Sequence, residues 1–380
     1  MTKHERIILE KLVENPMLSQ SELAEMLGLT RSSVSVYISH LMQMGFIRGR
    51  GYVIENCDNL YVIGTAGVDH RMVMEESRLL QPDSATILDD CELTVSYGGI
   101  AKNVSENLCR LGGRVSCICA VGSDVQGREL LDECRLSGVD IDDVLIVPAA
   151  RSSTYLEIAS LDRNRIIFSS ANMKLQRQIT PEFLMTKQHK LRHAKGIITE
   201  DSLSTAALQY ISSNYSPVFL ICSKSNRVGR YAQFLNQFNG IVANLETAWM
   251  TLGEEGKPPL DDASVFSVIE RVYVRAKGPI LLCYGSNHFA YCDGSYLAIC
   301  SYSDPKESAE LYSYYRDTVA AGFFHCLMEG IEKDDLMRYV CACREIVSQS
   351  PALVNLQICP ELISSVISSK DFSIRHNRLH

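Results

Sequence analysis

The stretch LYVIGT, residues 60–65, is a continuous apolar run that ends in glycine and threonine. A strand that is buried on both faces of a sheet has this composition, whereas a half-exposed strand alternates polar and apolar residues. Helical patterns separate many of the similar runs that follow, which are VSCICAVG (115–122), GIITE (196–200), VFLICS (218–223), GIVANL (240–245) and PILLCYG (279–285). Strands that alternate with helices predict a parallel α/β sheet, which binds its ligands at the carboxyl ends of the strands.

Two further segments, 70–97 and 150–170, alternate in polarity. This period of two is typical of antiparallel strands. We expect them to form a small lid over the sheet.

The first 55 residues have a helical period instead. ERIILEKLVENP, LSQSELAEMLGL and TRSSVSVYISHLMQMG predict three short helices, with Leu23 and Met26 facing inward and Gly28 ending the second helix. FIRGRGYVIE then predicts two strands around a Gly-Arg-Gly turn. Three helices followed by a hairpin are the order of a winged helix-turn-helix domain.

Such a domain would place its third helix in the major groove of DNA. Residues 26–54 hold three arginines and no acid, although the whole chain carries a formal net charge of -8. The candidate DNA-binding residues are Arg31, Ser32 and Ser35 on the third helix and Arg48 and Arg50 on the wing. A winged helix that serves protein contacts or dimerisation is the alternative.

The composition of the chain argues against several other classes of protein. The 380 residues allow two or more domains, and the net negative charge argues against a surface coated with basic residues. No run of about 18 apolar residues occurs, so we expect no membrane span. The N-terminus does not resemble a signal peptide, and the 14 cysteines form no C-x-x-C pair. We expect a cytoplasmic protein whose cysteines are small buried apolar residues and which has no metal site.

Scattered polar residues and glycines follow the first strands of the large domain. GTAGVD ends in Asp69, YGGIAKNVSENLCRLG contains Gly98, Gly99 and Asn103, and AVGSDVQG contains Asp124. The phosphate-binding motif G-x-x-x-x-G-K-[ST] and the zinc motif H-E-x-x-H are both absent from the sequence.

In this order, the features resemble the ribokinase-like (PfkB) carbohydrate kinase family over roughly residues 60–365. RGRGYVI, RLGGRVSCICAVGSDVQGREL and STYLEIA carry the resemblance, which is closest to pseudouridine-kinase-like members with a winged helix-turn-helix in front. The resemblance implies a parallel sheet with helices on both faces and a small β lid. The domains would be a winged helix-turn-helix at 1–55, a kinase-like domain at 60–369 and a polar tail at 370–380.

The family resemblance also implies roles for individual residues. In the family, ATP and Mg²⁺ bind across the strand ends, and a helix N-terminus cradles the transferred phosphoryl group. The implied substrate-binding residues are Asp69, Gly98, Gly99 and Asn103. The implied nucleotide- and phosphate-binding residues are Asn244, Asp317, Ala321 and Gly322.

The sequence departs from the family pattern at the residues that carry the chemistry. DTVAAGFFH, residues 317–325, predicts a glycine-containing turn that leads into a helix, but Phe323 stands where the family motif D-T-x-G-A-G-D ends in its catalytic aspartate. Ala320 replaces the first glycine of that motif. In ANLETA, Thr247 replaces the glutamate of N-x-x-E, and Glu246 is one residue early. The sequence therefore assigns no catalytic residue.

The leading hypothesis is a DNA-binding transcriptional regulator, most simply a homodimer, with a pseudokinase domain that senses a sugar or nucleoside. This hypothesis assigns no cofactor to the protein. The alternative is an active sugar or nucleoside kinase that uses ATP and Mg²⁺ with a displaced base, Asp317 or Glu246. A scaffold without ligand or catalysis is a third interpretation.

Overall fold

The computed structural model describes six stretches of the chain, which are residues 1–47, 58–74, 91–160, 165–302, 312–350 and 352–377. They divide into two compact units. One comprises Met1–Asn59 with Thr186–Lys195, and the other comprises Leu60–Met185 with Gly196–His380. Within these stretches, no helix is long and apolar enough to cross a membrane.

The smaller unit begins with α1 (Lys3–Glu14), α2 (Gln20–Leu27) and α3 (Arg31–Gln43). Capping boxes start the first two helices. The side chains of Thr2 and Ser19 each accept from the backbone N–H three residues on, and their own backbone N–H groups donate to the side chain of the glutamate at that position. The helices bury one shared apolar core, made of Ile8, Leu12, Leu23, Val34, Ile38 and Leu41.

The sequence predicted the roles of two residues at the end of α2. Gly28 ends α2 with a φ of 64°, as predicted for a left-handed cap. Met26 was expected to face inward, and this is wrong: its side chain is 55% exposed, because Leu23 and Ala24 occupy the buried face of the short helix. The predicted wing with Arg48 and Arg50 lies outside the described residues.

The described strands of the chain are, in order, β1 (Leu60–Ile63), β2 (Gly67–Met74), β3 (Glu92–Gly98), β4 (Val115–Ile118), β5 (Ala120–Gly122), β6 (Leu145–Val147), β7 (Thr154–Ser160), β8 (Arg165–Asn172), β9 (Gly196–Glu200), β10 (Val218–Ile221), β11 (Gly240–Asn244), β12 (Ile280–Tyr284), β13 (His288–Cys292), β14 (Leu297–Tyr302) and β15 (Phe372–His376). Nine of these form one sheet, in the order β15-β14-β13-β12-β11-β10-β9-β1-β4.

Six strands of that sheet, from β12 to β4, run parallel, as the continuous apolar runs predicted. The remaining three strands are antiparallel and form the other edge. The outermost strand, β15, lies in the segment 370–380 that we expected to be a polar tail. That expectation is wrong because Phe372 and Ile374 alternate with polar residues and pack against the core.

The helices after α3 are α4 (Ile100–Arg110), α5 (Val125–Leu136), α6 (Pro181–Thr186), α7 (Gln188–Leu191), α8 (Thr205–Asn214), α9 (Leu245–Thr251), α10 (Asp262–Ala276), α11 (Tyr312–Glu329), α12 (Lys333–Ser348) and α13 (Pro360–Ser369). Short 3-10 helices cover Leu175–Gln178, Ser225–Arg230 and Ala232–Gln237.

A separate four-stranded sheet has the order β3-β2-β7-β8. It contains the described parts of the two segments whose alternation predicted strands, and these parts are confirmed as strands. Residues 75–90 and 161–164 of the two segments lie outside the described residues. The central pair, β2 with β7, is parallel, while the outer pairs are antiparallel. We call this sheet the lid sheet.

Helix α11 contradicts the turn expected at 317–325. The helix runs unbroken from Tyr312 to Glu329, and every residue from 315 to 324 is buried. Apart from Arg316, Asp317 and Thr318, this buried stretch is made of apolar and small residues, as is typical of a helix in the centre of a core. Gly322 lies inside this helix, where its missing side chain leaves room for the neighbouring helix α12.

The packing of α11 against α12 predicts the effect of Gly322→Ala. The new Cβ would lie 2.5 Å from Sγ of Cys343. Overpacking of this kind costs about 1–3 kcal/mol, more than the roughly 1 kcal/mol that alanine gains over glycine in a helix. We expect a lower free energy of unfolding in urea, followed by the fluorescence of the single tryptophan, Trp249.

The matched experiment repeats Gly322→Ala in a Cys343→Ala background. Without the sulfur atom the penalty should disappear. An equal penalty in both backgrounds would contradict the packing described for residue 322.

Candidate functional site

The carboxylate of Asp69 lies against the backbone of Gly98 where β2 pairs with β3. Asp69 is opposite Ser96 and Gly67 is opposite Gly98 in this pairing. A Cβ atom on residue 98 would overlap Oδ2 of Asp69. Glycine at this position therefore makes room for the aspartate side chain.

Gly99 has a different role. It caps the N-terminus of α4 with a φ of 103°, and a Cβ atom there would lie 2.6 Å from the backbone of Thr65. The Thr65 carbonyl accepts the N–H of Ala101 at 3.0 Å, and its hydroxyl accepts the N–H of Ile100 at 3.2 Å. The glycine pair therefore brings the end of β1, the lid sheet and the start of α4 close together.

Helix α4 then positions Asn103 beside Asp317 of α11. Nδ2 of Asn103 donates to Oδ2 of Asp317 at 2.9 Å, and Nε of Arg316 donates to Oδ1 at 2.8 Å. Asn103 and Asp317 are only 2% and 3% exposed. Two residues that the family resemblance assigned to opposite ends of the site are thus hydrogen-bonded to each other.

Asp69 belongs to the same group electrostatically. Burial, followed by the negative charge of Asp317, raises the pKa of Asp69 from 3.8 to about 7. Glu157 acts in the same direction, while the cations Lys102 and Arg316 oppose the shift. The structure thus brings Asp69, Gly98, Asn103 and Asp317 together at the carboxyl end of the sheet.

Asp124, which follows β5, is held by structural contacts. It caps α5 and accepts from the N–H groups of Gly127 and Ser152, both at 2.9 Å, and from the Ser152 hydroxyl at 2.7 Å. Burial opposes its ionisation, but these hydrogen bonds outweigh burial and hold the pKa of Asp124 below its ordinary value. Its role in the described chain is to tie the start of α5 to the loop that precedes β7.

The residues expected at the phosphate end lie in two places. Asn244 caps α9, where its Oδ1 accepts the N–H of Thr247 at 2.9 Å. Thr247 is fully buried, and its hydroxyl has no hydrogen-bond partner among the described residues. Glu246 is exposed.

Ala321 and Gly322 lie within α11 and are buried. Phe323 follows them, and its ring centroid is 5.9 Å from that of Tyr291 and 5.4 Å from that of Phe324. Phe323 is 0% exposed. The backbone N–H groups of this segment are part of the helix, so they differ from the free N–H groups at a helix start.

Sequence reasoning missed a group of cations beside this site. Arg316 contacts Asp317, and Lys224, Arg227 and Arg230 follow β10 on the segment SKSNRVGR, residues 223–230. The signal was available: this segment has three basic residues and no acid at the end of a predicted buried strand. Residues that follow such a strand lie at the ligand-binding edge of a parallel sheet.

On α3, the candidate DNA-binding residues lie on the surface. Arg31 and Ser32 are exposed and Ser35 is half-buried, while Val34 and Ile38 face the core. Thr30 caps the helix by accepting the N–H of Ser33 at 3.2 Å. The first turn of α3 therefore presents small polar side chains and one cation to the solvent.

The raised pKa of Asp69 predicts a pH-dependent stability. Between its ordinary value of 3.8 and about 7 the folded chain holds a proton that the unfolded chain releases, so stability falls as the pH rises through this window. Asp69→Asn removes this loss. From pH 5 to pH 8, we expect the free energy of unfolding of the variant to rise by about 2 kcal/mol relative to wild type.

Urea titrations at both pH values, followed by Trp249 fluorescence, measure this difference. Asp132→Asn, which removes an exposed carboxylate from α5, is the matched control. An Asp69→Asn variant with the same pH dependence as wild type would contradict the raised pKa of Asp69.

Two family models match this chain. The model of the pfkB family carbohydrate kinase matches residues 59–260, and the winged helix-turn-helix DNA-binding model matches residues 1–48. The pfkB match ends before α11, so residues 317–323 lie outside it.

Individual relatives extend the likeness. An uncharacterized sugar kinase, YeiI of Escherichia coli, is 27% identical over 363 residues, which are 93% of this chain and 96% of the relative. The pseudouridine kinase of Escherichia coli is 30% identical over 189 residues, which are 49% of this chain and 58% of the relative.

Solved structures confirm the fold. A carbohydrate kinase from Agrobacterium tumefaciens has a TM-score of 0.66 at 17% identity and covers 84% of this chain and all of its own. Ribokinase from Thermotoga maritima has a TM-score of 0.64 at 13% identity, with 81% of this chain and 99% of its own covered. This chain belongs to the pfkB carbohydrate kinase family and carries a winged helix-turn-helix DNA-binding domain in front of its kinase fold.

Proposed function

We propose that this protein is a transcriptional regulator whose kinase-like domain senses a sugar or nucleoside and has lost phosphotransfer. The observation that carries the proposal is the continuous helix α11, with Phe323 in the core at the position of the family's catalytic aspartate. The winged helix-turn-helix domain supplies the output. Its proposed place of action is the cytoplasm.

The continuity of α11 supports the loss of the backbone N–H groups that would bind the transferred phosphate. Only the first four N–H groups of a helix lack a partner within the helix, and these are the groups that bind anions. Helix α11 begins at Tyr312, so the amides of Ala321 and Gly322 lie more than two turns from its start. They donate within the helix instead of facing a ligand.

The side chain of Phe323 supports the loss of a base. A phenyl ring accepts no proton, and the loss of a general base costs about 10²–10⁴ in rate. The ring packs between Tyr291 and Phe324, so the position is part of the core. No acid occurs from residue 318 to 328 that could substitute for it.

The residues around α9 do not fit a magnesium site. Mg²⁺ is held in phosphotransfer enzymes by carboxylates together with phosphate oxygens. Thr247 offers a buried hydroxyl in place of the glutamate, and Asn244 already uses its oxygen to cap the helix. Glu246 is exposed, as expected for a residue about 100° away around the helix.

The opposite end of the site supports retained ligand binding. Asp69 is half-buried on β2 of the lid sheet, Asn103 is buried on α4, and Gly98 keeps the space that the Asp69 carboxylate needs. Carboxylate and amide groups can hold the hydroxyls of a sugar or nucleoside. We infer that closure of the lid sheet over such a ligand alters DNA binding by a homodimer.

An active kinase remains the second candidate because a relative described as a sugar kinase aligns with 93% of this chain. The base would then have to be Asp317 or Glu246, with ATP and Mg²⁺ as cofactors. Asp317 already accepts hydrogen bonds from Asn103 and Arg316, so both of its carboxylate oxygens have a partner in the core.

Phosphotransfer provides the first test. With ATP and millimolar Mg²⁺, the full chain should phosphorylate pseudouridine, ribose or fructose derivatives at least about 10² times more slowly than an intact family kinase assayed in parallel. Release of ADP measures the rate. Phe323→Asp alone should restore no activity, since α11 remains continuous. Fast turnover that Asp317→Asn abolishes would establish the kinase interpretation instead.

DNA binding provides the second test. Selection from a random DNA pool should enrich a roughly palindromic site, because paired heads read paired half-sites. Arg31→Ala and Ser32→Ala should change the preferred sequence by about 1–3 kcal/mol of discrimination, while Arg48→Ala/Arg50→Ala should weaken binding to all sequences. Binding should also weaken as salt is added.

Arg6→Ala, an exposed arginine on α1, is the matched control and should leave the selected sequence unchanged. Failure of the folded wild-type protein to enrich any sequence would assign the winged helix to protein contacts.

A further inference from the structure

A second cluster of polar side chains surrounds a cavity of about 640 Å³ in the larger unit. It lies where β8 of the lid sheet ends, next to the loops that follow β9 and β10. Its cationic and polar lining includes Lys174, Gln176, Arg177, Ser202, Ser204 and Arg230. None of its lining residues is an acid.

The three cations of this lining are available to a ligand. Lys174 and Arg177 are exposed, and their side chains have no hydrogen-bond or ion-pair partner within the described stretches. Arg230 donates through Nη1 to the carbonyls of Asp201, Ser202 and Leu203 at 2.8–3.3 Å. This anchors the guanidinium group at one nitrogen while the rest of it lines the cavity.

Two buried acids, Glu200 and Asp201, lie next to this lining, and both already have other partners. Glu200 accepts from the hydroxyl of Ser202 at 2.7 Å. Asp201 is fully buried and accepts from Nη1 of Arg227 at 3.2 Å and from the backbone N–H groups of Ser223 and Lys224 at 2.7 and 3.1 Å. Its role is to fix the segment after β10, so that Arg227 and Arg230 remain in place.

The cations extend from the cavity to the candidate site. Burial, the charge of Arg227 and then that of Arg316 hold the pKa of Lys224 below its ordinary value. Burial, followed by Arg227, lowers the pKa of Arg230, and Arg177 contributes in the same direction. Like charges held this close favour an anion between them.

We propose that this cavity binds the phosphate group of a phosphomonoester, such as a sugar phosphate or nucleoside monophosphate. The proposal rests on the sensor function above and names its ligand class: the chain recognises a molecule that already carries a phosphate. Arginine and lysine donors match phosphate oxygens, and the hydroxyl of Ser204 adds a neutral donor. The series Arg316, Lys224, Arg227 and Arg230 connects this pocket to Asp69 and Asn103.

The test is isothermal titration of the full chain with matched pairs of probes, ribose 5-phosphate against ribose and uridine 5′-monophosphate against uridine. Inorganic phosphate and Mg²⁺-ATP are separate arms. At least one phosphomonoester should bind about tenfold or more tightly than its neutral counterpart, because charge-assisted hydrogen bonds add to the affinity.

The variant Lys174→Gln/Arg177→Gln should remove that advantage. Both side chains are exposed, so the substitution should leave folding intact. The matched control is Arg128→Gln/Arg135→Gln, which removes the same charge from α5, away from the cavity lining. The control should bind the phosphomonoester within about twofold of wild type.

Phosphomonoesters that bind no more tightly than the neutral probes would overturn the proposal, as would unchanged binding by the Lys174/Arg177 variant. Binding of inorganic phosphate or Mg²⁺-ATP alone would overturn the assignment of the ligand class. Ribose or uridine could still bind in these cases, which would leave the sensor function standing. Conversely, rapid phosphotransfer would remove the sensor function without affecting the measured preference for phosphate.

Discussion

The proposed loss of phosphotransfer depends on the contact between α11 and α12. Gly322 leaves space for Sγ of Cys343, and Phe323 fills the core next to Tyr291. A helix that is buried on all sides cannot open locally at residue 320 without exposing these apolar contacts to water. The packing therefore keeps the backbone amides of the segment bonded within the helix.

This constraint divides the site into two parts. On one side, Asn103 is hydrogen-bonded to Asp317, and burial followed by the charge of Asp317 raises the pKa of Asp69. On the other side, Thr247 and Phe323 replace the carboxylates that the family chemistry uses. Under the proposed function, the ligand-binding end persists without the phosphoryl end because Asp69, Gly98 and Asn103 are built on β2, β3 and α4, although α11 contributes Asp317 to both.

The cations that line the cavity indicate which class of ligand the domain would recognise. A kinase product differs from its substrate by one phosphate, and a pocket with Lys174, Arg177 and Arg230 would distinguish the two by charge. A regulator that responds to the phosphorylated compound needs no catalytic base. It needs cations that are free to bind a phosphate, and the acid-free lining of the cavity provides them.

The sequence predicted the parallel strands and the winged helix-turn-helix because both depend on local patterns. Continuous apolar runs such as LYVIGT identify strands buried on both faces, and Thr30 and Gly28 mark helix ends. Residues 317–325 were misjudged because a glycine is a weak signal when tertiary packing supplies the reason for it. The strand at 372–376 was missed because its alternation is short and partly polar.

Contacts between distant residues could not be predicted from the sequence. The hydrogen bond of Asn103 to Asp317 joins residues 214 positions apart, and no local pattern indicates it. The burial that raises the pKa of Asp69 likewise depends on the whole domain. The basic segment 223–230 was visible, but its cavity requires the lid sheet to be placed beside it.

Hydrogen–deuterium exchange of the amides from residue 317 to 323 tests the central claim most directly. If α11 is continuous, these amides should be strongly protected, and Mg²⁺-ATP should not change their exchange. Rapid exchange that slows when Mg²⁺-ATP is added would reveal an open turn that binds phosphate, and would contradict both the continuous α11 and the loss of the phosphate cradle.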